Sequence, residues 1–182
     1  MIEVPGNRII LREHQISDLD NYHKWRSDKE LMKLSIMPRS LTIQDTFIYL
    51  ADEIKEQQNP GRKLYVFAIV LKDTQEYIGS SVFNIEKTSA RGGVAEIGYF
   101  LYREYWKKGF AGEATTLLID YIFKNHPIHK IIANCDARNT GSEKVMLRCG
   151  MVKEGHFIKE RCIDGEWSDN LKYSILKKNE NL

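Results

Sequence analysis

The sequence predicts a mixed α/β (α+β) fold, with a central β-sheet of about seven strands flanked by about four helices. Three observations carry that expectation. Apolar residues recur at helical spacing in separate segments, the clearest being Phe110, Ala114, Leu117, Leu118, Tyr121 and Ile122. Short runs rich in β-branched and aromatic residues stand between them, bounded by turn residues. One apolar run, Ile131-Ile132-Ala133, is reached from the preceding strand only through a helix, which makes those two strands parallel.

In chain order, Arg8-Ile9-Ile10-Leu11-Arg12 reads as a short strand. Ser17-Asp18-Leu19-Asp20 opens a helix with a capping-box pattern, and Leu19, Tyr22 and Trp25 or Arg26 follow at helical spacing. A second helix starts at Thr42, where Asp45 can return a hydrogen bond. Its apolar stripe is Ile43, Phe47, Leu50, Ala51 and Ile54, and Asn59-Pro60-Gly61 ends it. Residues 64–71 and 77–85 form a hairpin across Lys72-Asp73-Thr74-Gln75. A strand over 94–101 leads into the helix that begins near Phe110 and stops at His126-Pro127. After the buried strand around residue 132, a short helix runs from about Ser142 to Gly150, a left-handed cap. Two last strands flank the hairpin signal Asp164-Gly165.

Length and composition limit the function classes. At 182 residues, 42% hydrophobic and 29% charged, the chain suits a single domain over residues 1–182 with a full core. Its net charge of +2 is spread among nearly as many acids as bases, which argues against nucleic-acid or membrane-surface binding. No apolar run reaches the ~20 residues of a membrane span, so a cytoplasmic protein is expected. Cys135, Cys149 and Cys162 offer neither a disulfide framework nor a metal knuckle, and are expected as buried or semi-buried thiols. His126 and His129 are separated by a proline that breaks any shared helical face, so no metal site is expected.

One loop carries chemistry. Lys107-Lys108-Gly109-Phe110-Ala111-Gly112 joins a strand to a helix, so unpaired amides and the positive helix end face outward beside two lysines. Gly109 and Gly112 would let a phosphate approach the backbone, although glycines there also permit tight helix packing. No GxxxxGK[ST] pattern occurs, and a dinucleotide fingerprint would need a third glycine earlier in the chain.

The stretch Ala95-Glu96-Ile97-Gly98-Tyr99-Phe100-Leu101, followed by Tyr105-Trp106-Lys107-Lys108-Gly109-Phe110-Ala111-Gly112-Glu113-Ala114, resembles the coenzyme A motif of GNAT acetyltransferases in its RimJ/RimL-type version. Asn139-Thr140-Gly141-Ser142, Val145, Gly150 and Met151 resemble the family's Asn-x-x-Ser helix, with Met151 for the usual Phe. Gly165-Glu166-Trp167-Ser168-Asp169 and Tyr173-Ser174-Ile175-Leu176 extend the likeness. The resemblance implies a sheet splayed between its fourth and fifth strands. It also implies an acetyl-CoA co-substrate bound by Tyr99, Phe100, Leu101, Lys107, Lys108, Gly109, Phe110, Ala111, Gly112, Glu113, Asn139, Ser142 and Arg148.

The implied reaction is direct attack of a primary amine on the thioester within a ternary complex. An α-amino group is about a tenth neutral at pH 7 and a lysine less than about a thousandth, so a base matters most for the latter. Glu96 is the first candidate, because the resemblance turns its carboxylate toward the substrate cleft; an ion pair across the sheet is the structural alternative. A second base position after Gly155 falls on Arg161 here, with Glu160 one place earlier, so Glu160 is held in reserve. The family's backbone donor for the thioester carbonyl falls near Phe100 or Leu101. Its Tyr acid falls on Met146, which leaves Ser142 as the donor to the thiolate, and both Asn139 and Ser142 can also serve as helix caps.

The branch implies a protein or peptide α-amino terminus as acceptor. A small amine of the polyamine or aminoglycoside type is the alternative within the class, with Asp45, Asp52, Glu53 and Glu56 as a source of acidity. A non-catalytic acetyl-CoA sensor is the alternative outside it, and either a monomer or a homodimer is compatible with the sequence. Trp25, Tyr65, Phe83, Tyr99 and Trp167 read as core rather than substrate wall.

Overall fold

In the computed structural model, which describes residues 1–33, 35, 39–163 and 165–178, the order is β1 (Glu3–Pro5), β2 (Ile9–Glu13), α1 (Leu19–Arg26), α2 (Lys29–Met32), α3 (Ile43–Glu56), β3 (Leu64–Leu71), β4 (Tyr77–Lys87), β5 (Gly93–Leu101), α4 (Phe110–Asn125), β6 (Ile128–Asp136), α5 (Thr140–Arg148), β7 (Val152–Ile163) and β8 (Glu166–Leu176). The strands form one sheet in the order β1-β2-β3-β4-β5-β6-β8-β7, in which only β5 and β6 run parallel.

Side-chain alternation buries both faces of the sheet's middle. On one face Ala95, Ile97 and Leu101 join Phe67, Ile69 and Phe83 beneath Ala114, Leu118 and Ile122 of α4. On the other, Ala68, Val70 and Tyr77 meet Tyr22 and Trp25 of α1 and Leu50 of α3. The β5–β6 ladder runs from Gly93 opposite Ile128 to Ile97 opposite Ala133 and stops there, while β5 continues to Leu101 and β6 to Asp136. The sheet is therefore open between these strands, as the family resemblance implies.

The seven expected strands are present, and β1 precedes them. Three residues ending in a proline are too short to show a period-two pattern, so pairing with β2 alone defines that strand. The single-turn α2 is likewise local, set by Asp28 accepting from the amides of Glu30 and Leu31. At the entry to α1 the box is formed by Gln15 and Asp18, not Ser17 and Asp20. Asp18 accepts from the Gln15 amide at 2.8 Å and is gripped by both Arg12 guanidinium nitrogens at 2.7 Å, which turns it inward.

The Thr42–Asp45 capping box forms as expected. The α3 stripe differs: Ile43 and Phe47 face outward, 47% and 39% exposed, and Thr46 is buried in their place. Polar partners set that rotation, since Thr46 bonds His23 at 2.7 Å and Glu53 meets both Tyr22 and His14. Gly150 and Gly165 both take positive φ, +80° and +81°, whereas Asp164 lies outside the described residues. Cys135 is buried and Cys149 half-buried, but Cys162 is exposed, because it lies on the outer strand β7. Trp167 is also exposed rather than core. No helix among the described residues is long and apolar enough to cross a membrane.

Candidate active site

The start of α4 is built around Gly109, which takes φ +84° as the residue before the helix. The Glu113 amide bonds the Gly109 carbonyl at 3.1 Å, so the amides of Phe110, Ala111 and Gly112 have no acceptor within the helix. A side chain built on Gly112 would meet nothing within 4 Å. Arg8 fixes the turn from outside. Its guanidinium bonds the Lys108 carbonyl at 3.0 Å and Glu113 at 2.9 Å, its backbone amide bonds Glu113 at 2.7 Å, and it lies 4.4 Å over the Phe110 ring. The Glu113 side chain is thereby spent on Arg8. Free amides, the helix dipole, room above Gly112 and exposed Lys107 and Lys108 suit a diphosphate-sized anion.

The opening between β5 and β6 exposes particular backbone groups. The Tyr102 amide bonds the Ile78 carbonyl at 3.0 Å, and antiparallel alternation then points Phe100 and Gly98 toward β4 as well. The backbone amides of Tyr99 and Leu101 consequently face the opening, beyond the last β6 partner. Of the two expected positions, Phe100 belongs to the ladder and its ring stacks on Trp25 at 4.5 Å. The Trp106 indole donates to the Leu101 carbonyl at 2.8 Å, which anchors the loop before α4 to the strand end.

Tyr99 and Ser142 meet at this opening. Burial pushes the Tyr99 hydroxyl up to about 12, and the nearby Ser142 side chain pulls it the other way. The Ser142 amide donates to Asn139 Oδ1 at 3.0 Å, so Asn139 caps α5. Met146, where the family's Tyr would fall, is 2% exposed within the core beneath α5. The hydroxyl beside Ser142 therefore comes from β5 and not from α5. Arg148 is exposed at the end of α5.

Glu96 and Glu160 line one pocket of about 390 Å³, together with Asn134, Phe157, Arg161, Asn170 and Lys172. The Asn134 amide donates to Glu96 at 2.8 Å. The Asn170 amide donates to Asn134 at 3.2 Å and to Glu160 at 2.6 Å. A bulge makes the meeting possible: Phe157 stands opposite Asn170 and Arg161 opposite Ser168, so β7 carries two extra residues. Within it Lys159 adopts φ +48°, and its amide bonds Asp169 at 2.9 Å. A larger depression of about 510 Å³, lined by Arg91, His129 and Lys177 among others, shares none of these residues and has no acidic side chain.

Sequence reading did not single out Asn134, Asn170 or Lys172. Asn134 did leave a signal, being a polar residue two places after Ile132 and so on one face of a strand whose neighbour carries Glu96. Asn170 and Lys172 left none, because their place depends on the register of β8 against β6.

Residues 8–152 match the acetyltransferase (GNAT) domain family. The uncharacterised N-acetyltransferase YnaD of Bacillus subtilis (strain 168) is 31% identical over 185 residues, spanning 99% of this chain and 100% of YnaD. A second relative is the [ribosomal protein uS5]-alanine N-acetyltransferase of Escherichia coli (strain K12). It is 32% identical over 119 residues, 65% of this chain and 60% of that protein. The crystal structure of a GNAT-family acetyltransferase from Bacillus anthracis superposes with a TM-score of 0.81 at 31% identity, covering 96% of this chain and 98% of that one.

Proposed function

The chain belongs to the GNAT acetyltransferase family, and on that premise we propose that it transfers the acetyl group of acetyl-CoA directly to the α-amino terminus of a protein or peptide. The observation that carries this reading is the sharing of one pocket by Glu96 and Glu160, joined through Asn134 and Asn170. The relative that acts on the alanine of ribosomal protein uS5 supports an α-amine.

In this reading the α4 amides, Lys107 and Lys108 bind the pyrophosphate. An α-ammonium entering the pocket gives a proton to Glu96 or Glu160, with about a tenth already neutral at pH 7. The neutral amine attacks the thioester carbon, whose oxygen accepts a hydrogen bond from the Leu101 amide as negative charge develops. Collapse breaks the C–S bond, and the second proton of the nitrogen passes to whichever of Glu96 and Glu160 did not take the first. The departing thiolate, of ordinary pKa about 8.5, is hydrogen-bonded by Ser142 and takes a solvent proton relayed through that hydroxyl, which is left neutral.

The test is thiol release from acetyl-CoA with three acceptors: a peptide with a free α-amine, the same peptide blocked at that amine but keeping a lysine, and spermidine. Release with the first alone is expected. Release only with spermidine, or none with any acceptor while acetyl-CoA still binds, contradicts the proposal.

A further inference from the structure

The pocket that holds Glu96 and Glu160 also takes in two cations. Arg161 and Lys172 line it, and neither forms an ion pair or side-chain hydrogen bond among the described residues. Their placement follows from the strand register. In a regular strand Glu160 and Arg161 would face opposite ways. The bulge that brings Arg161 opposite Ser168 puts both on the pocket. Lys172 is opposite Asn134 in the β6–β8 ladder and so shares its face. The nearby carboxylate of Glu154 does not neutralise it, being already bonded by Lys130 at 2.5 Å and Ser174 at 2.7 Å.

The floor adds a separate observation. Asn170 is only 4% exposed, and after its amide nitrogen has served Glu160 and Asn134 its Oδ1 accepts from no donor among the described residues. One further acceptor therefore remains beside the carboxylates. Toward an ammonium group the pocket thus offers Glu96, Glu160 and Asn170 Oδ1. Toward an anion it offers a guanidinium fork and an ammonium, and the fork matches a carboxylate bidentately.

With two cations set against its two carboxylates the pocket has no net negative charge to draw a polyamine, and a neutral amine leaves the Arg161 and Lys172 side chains without a hydrogen-bond partner. We infer that the acceptor carries an anion close to its amine: it is an amino-carboxylate, either a peptide whose first or second residue is acidic or a free amino acid. This rests on the reading above that the pocket takes the acceptor amine.

The experiment compares kcat/KM for matched pairs: a peptide beginning Ala-Asp against one beginning Ala-Asn, and alanine against alaninamide. Wild type, Arg161→Gln and Lys172→Gln are each measured, with acetyl-CoA affinity by calorimetry as the check on folding. The acidic member of at least one pair is expected to lead by about tenfold or more, and the lead is expected to fall below about threefold in at least one variant that still binds acetyl-CoA. Which pair shows the lead tells peptide from free amino acid. Equal rates within both pairs overturn this inference while leaving amine acetylation standing, and so does a lead that survives both substitutions. No turnover of any acceptor overturns both.

Discussion

Glu96 and Glu160 lie at opposite ends of one hydrogen-bond relay, in which Asn134 serves the first at 2.8 Å and Asn170 the second at 2.6 Å. The 3.2 Å bond between the two amides fixes both carboxylates relative to each other. A hydrogen bond to a charged group contributes about 1.5–3 kcal/mol, so losing one should show in the chemistry. Asn134→Leu is expected to lower kcat/KM by about ten- to a hundredfold while acetyl-CoA affinity stays within about twofold. Steady-state kinetics and calorimetry on one preparation check both halves.

The two glycines at α4 should separate binding from stability. Gly112→Val meets open space and replaces a poor helix former, so the melting temperature should hold or rise slightly. Acetyl-CoA affinity should fall by more than about a hundredfold, since the side chain occupies the space above the free amides. Gly109→Val forces a β-branched residue to φ +84°, and should also destabilise the fold by about 1–3 kcal/mol. Thermal melts beside calorimetric titrations distinguish the two variants.

The hydroxyls of Tyr99 and Ser142 should act as a unit. With its hydroxyl pushed up to about 12, Tyr99 stays protonated throughout the working pH range. Ser142→Ala and Tyr99→Phe are each expected to lower kcat by about tenfold, and the double variant by little more than either alone. Additive losses in single-turnover rates would assign the hydroxyls to separate tasks.

Acid stability should depend on the turn from β6 into α5. Asp136 is almost fully buried, and hydrogen bonds from the half-exposed Arg138, at 2.8–2.9 Å, outweigh burial and hold it at about 2. Because the folded value lies below the unfolded one of about 3.9, this group adds about 2.5 kcal/mol of stability above pH 4, lost as pH falls toward 2. Asp136→Asn should therefore cost about 2 kcal/mol at pH 7 and much less near pH 2.5. Urea midpoints across that range test the sign.

The parts of the fold written in local pattern could be read from the sequence. The α4 periodicity, the Thr42–Asp45 box, the left-handed Gly150 and the parallel β5–β6 pair all follow from short-range rules. Long-range partners set what could not be read: His23 and Glu53 rotate α3 so that Thr46 goes in and Phe47 out, and Arg12 draws Asp18 into the cap. The site divides the same way. The loop proposed to bind the anion is contiguous and lies within one short motif, whereas the proposed acceptor pocket needs the β7 bulge to bring Glu160 to Glu96, and Asp169 bonds the bulge across the ladder.

The central proposal is acetyl transfer at the Glu96 and Glu160 pocket. Its most direct test is the rate of thiol release with a free α-amino peptide, measured across pH for wild type, Glu96→Gln, Glu160→Gln and the double variant. Each single substitution should lower kcat/KM by about tenfold or more at pH 7, the double variant more, and raising the pH should recover part of each loss by deprotonating the amine without a base. A double variant that matches wild type across the range, with acetyl-CoA binding intact, would contradict the account.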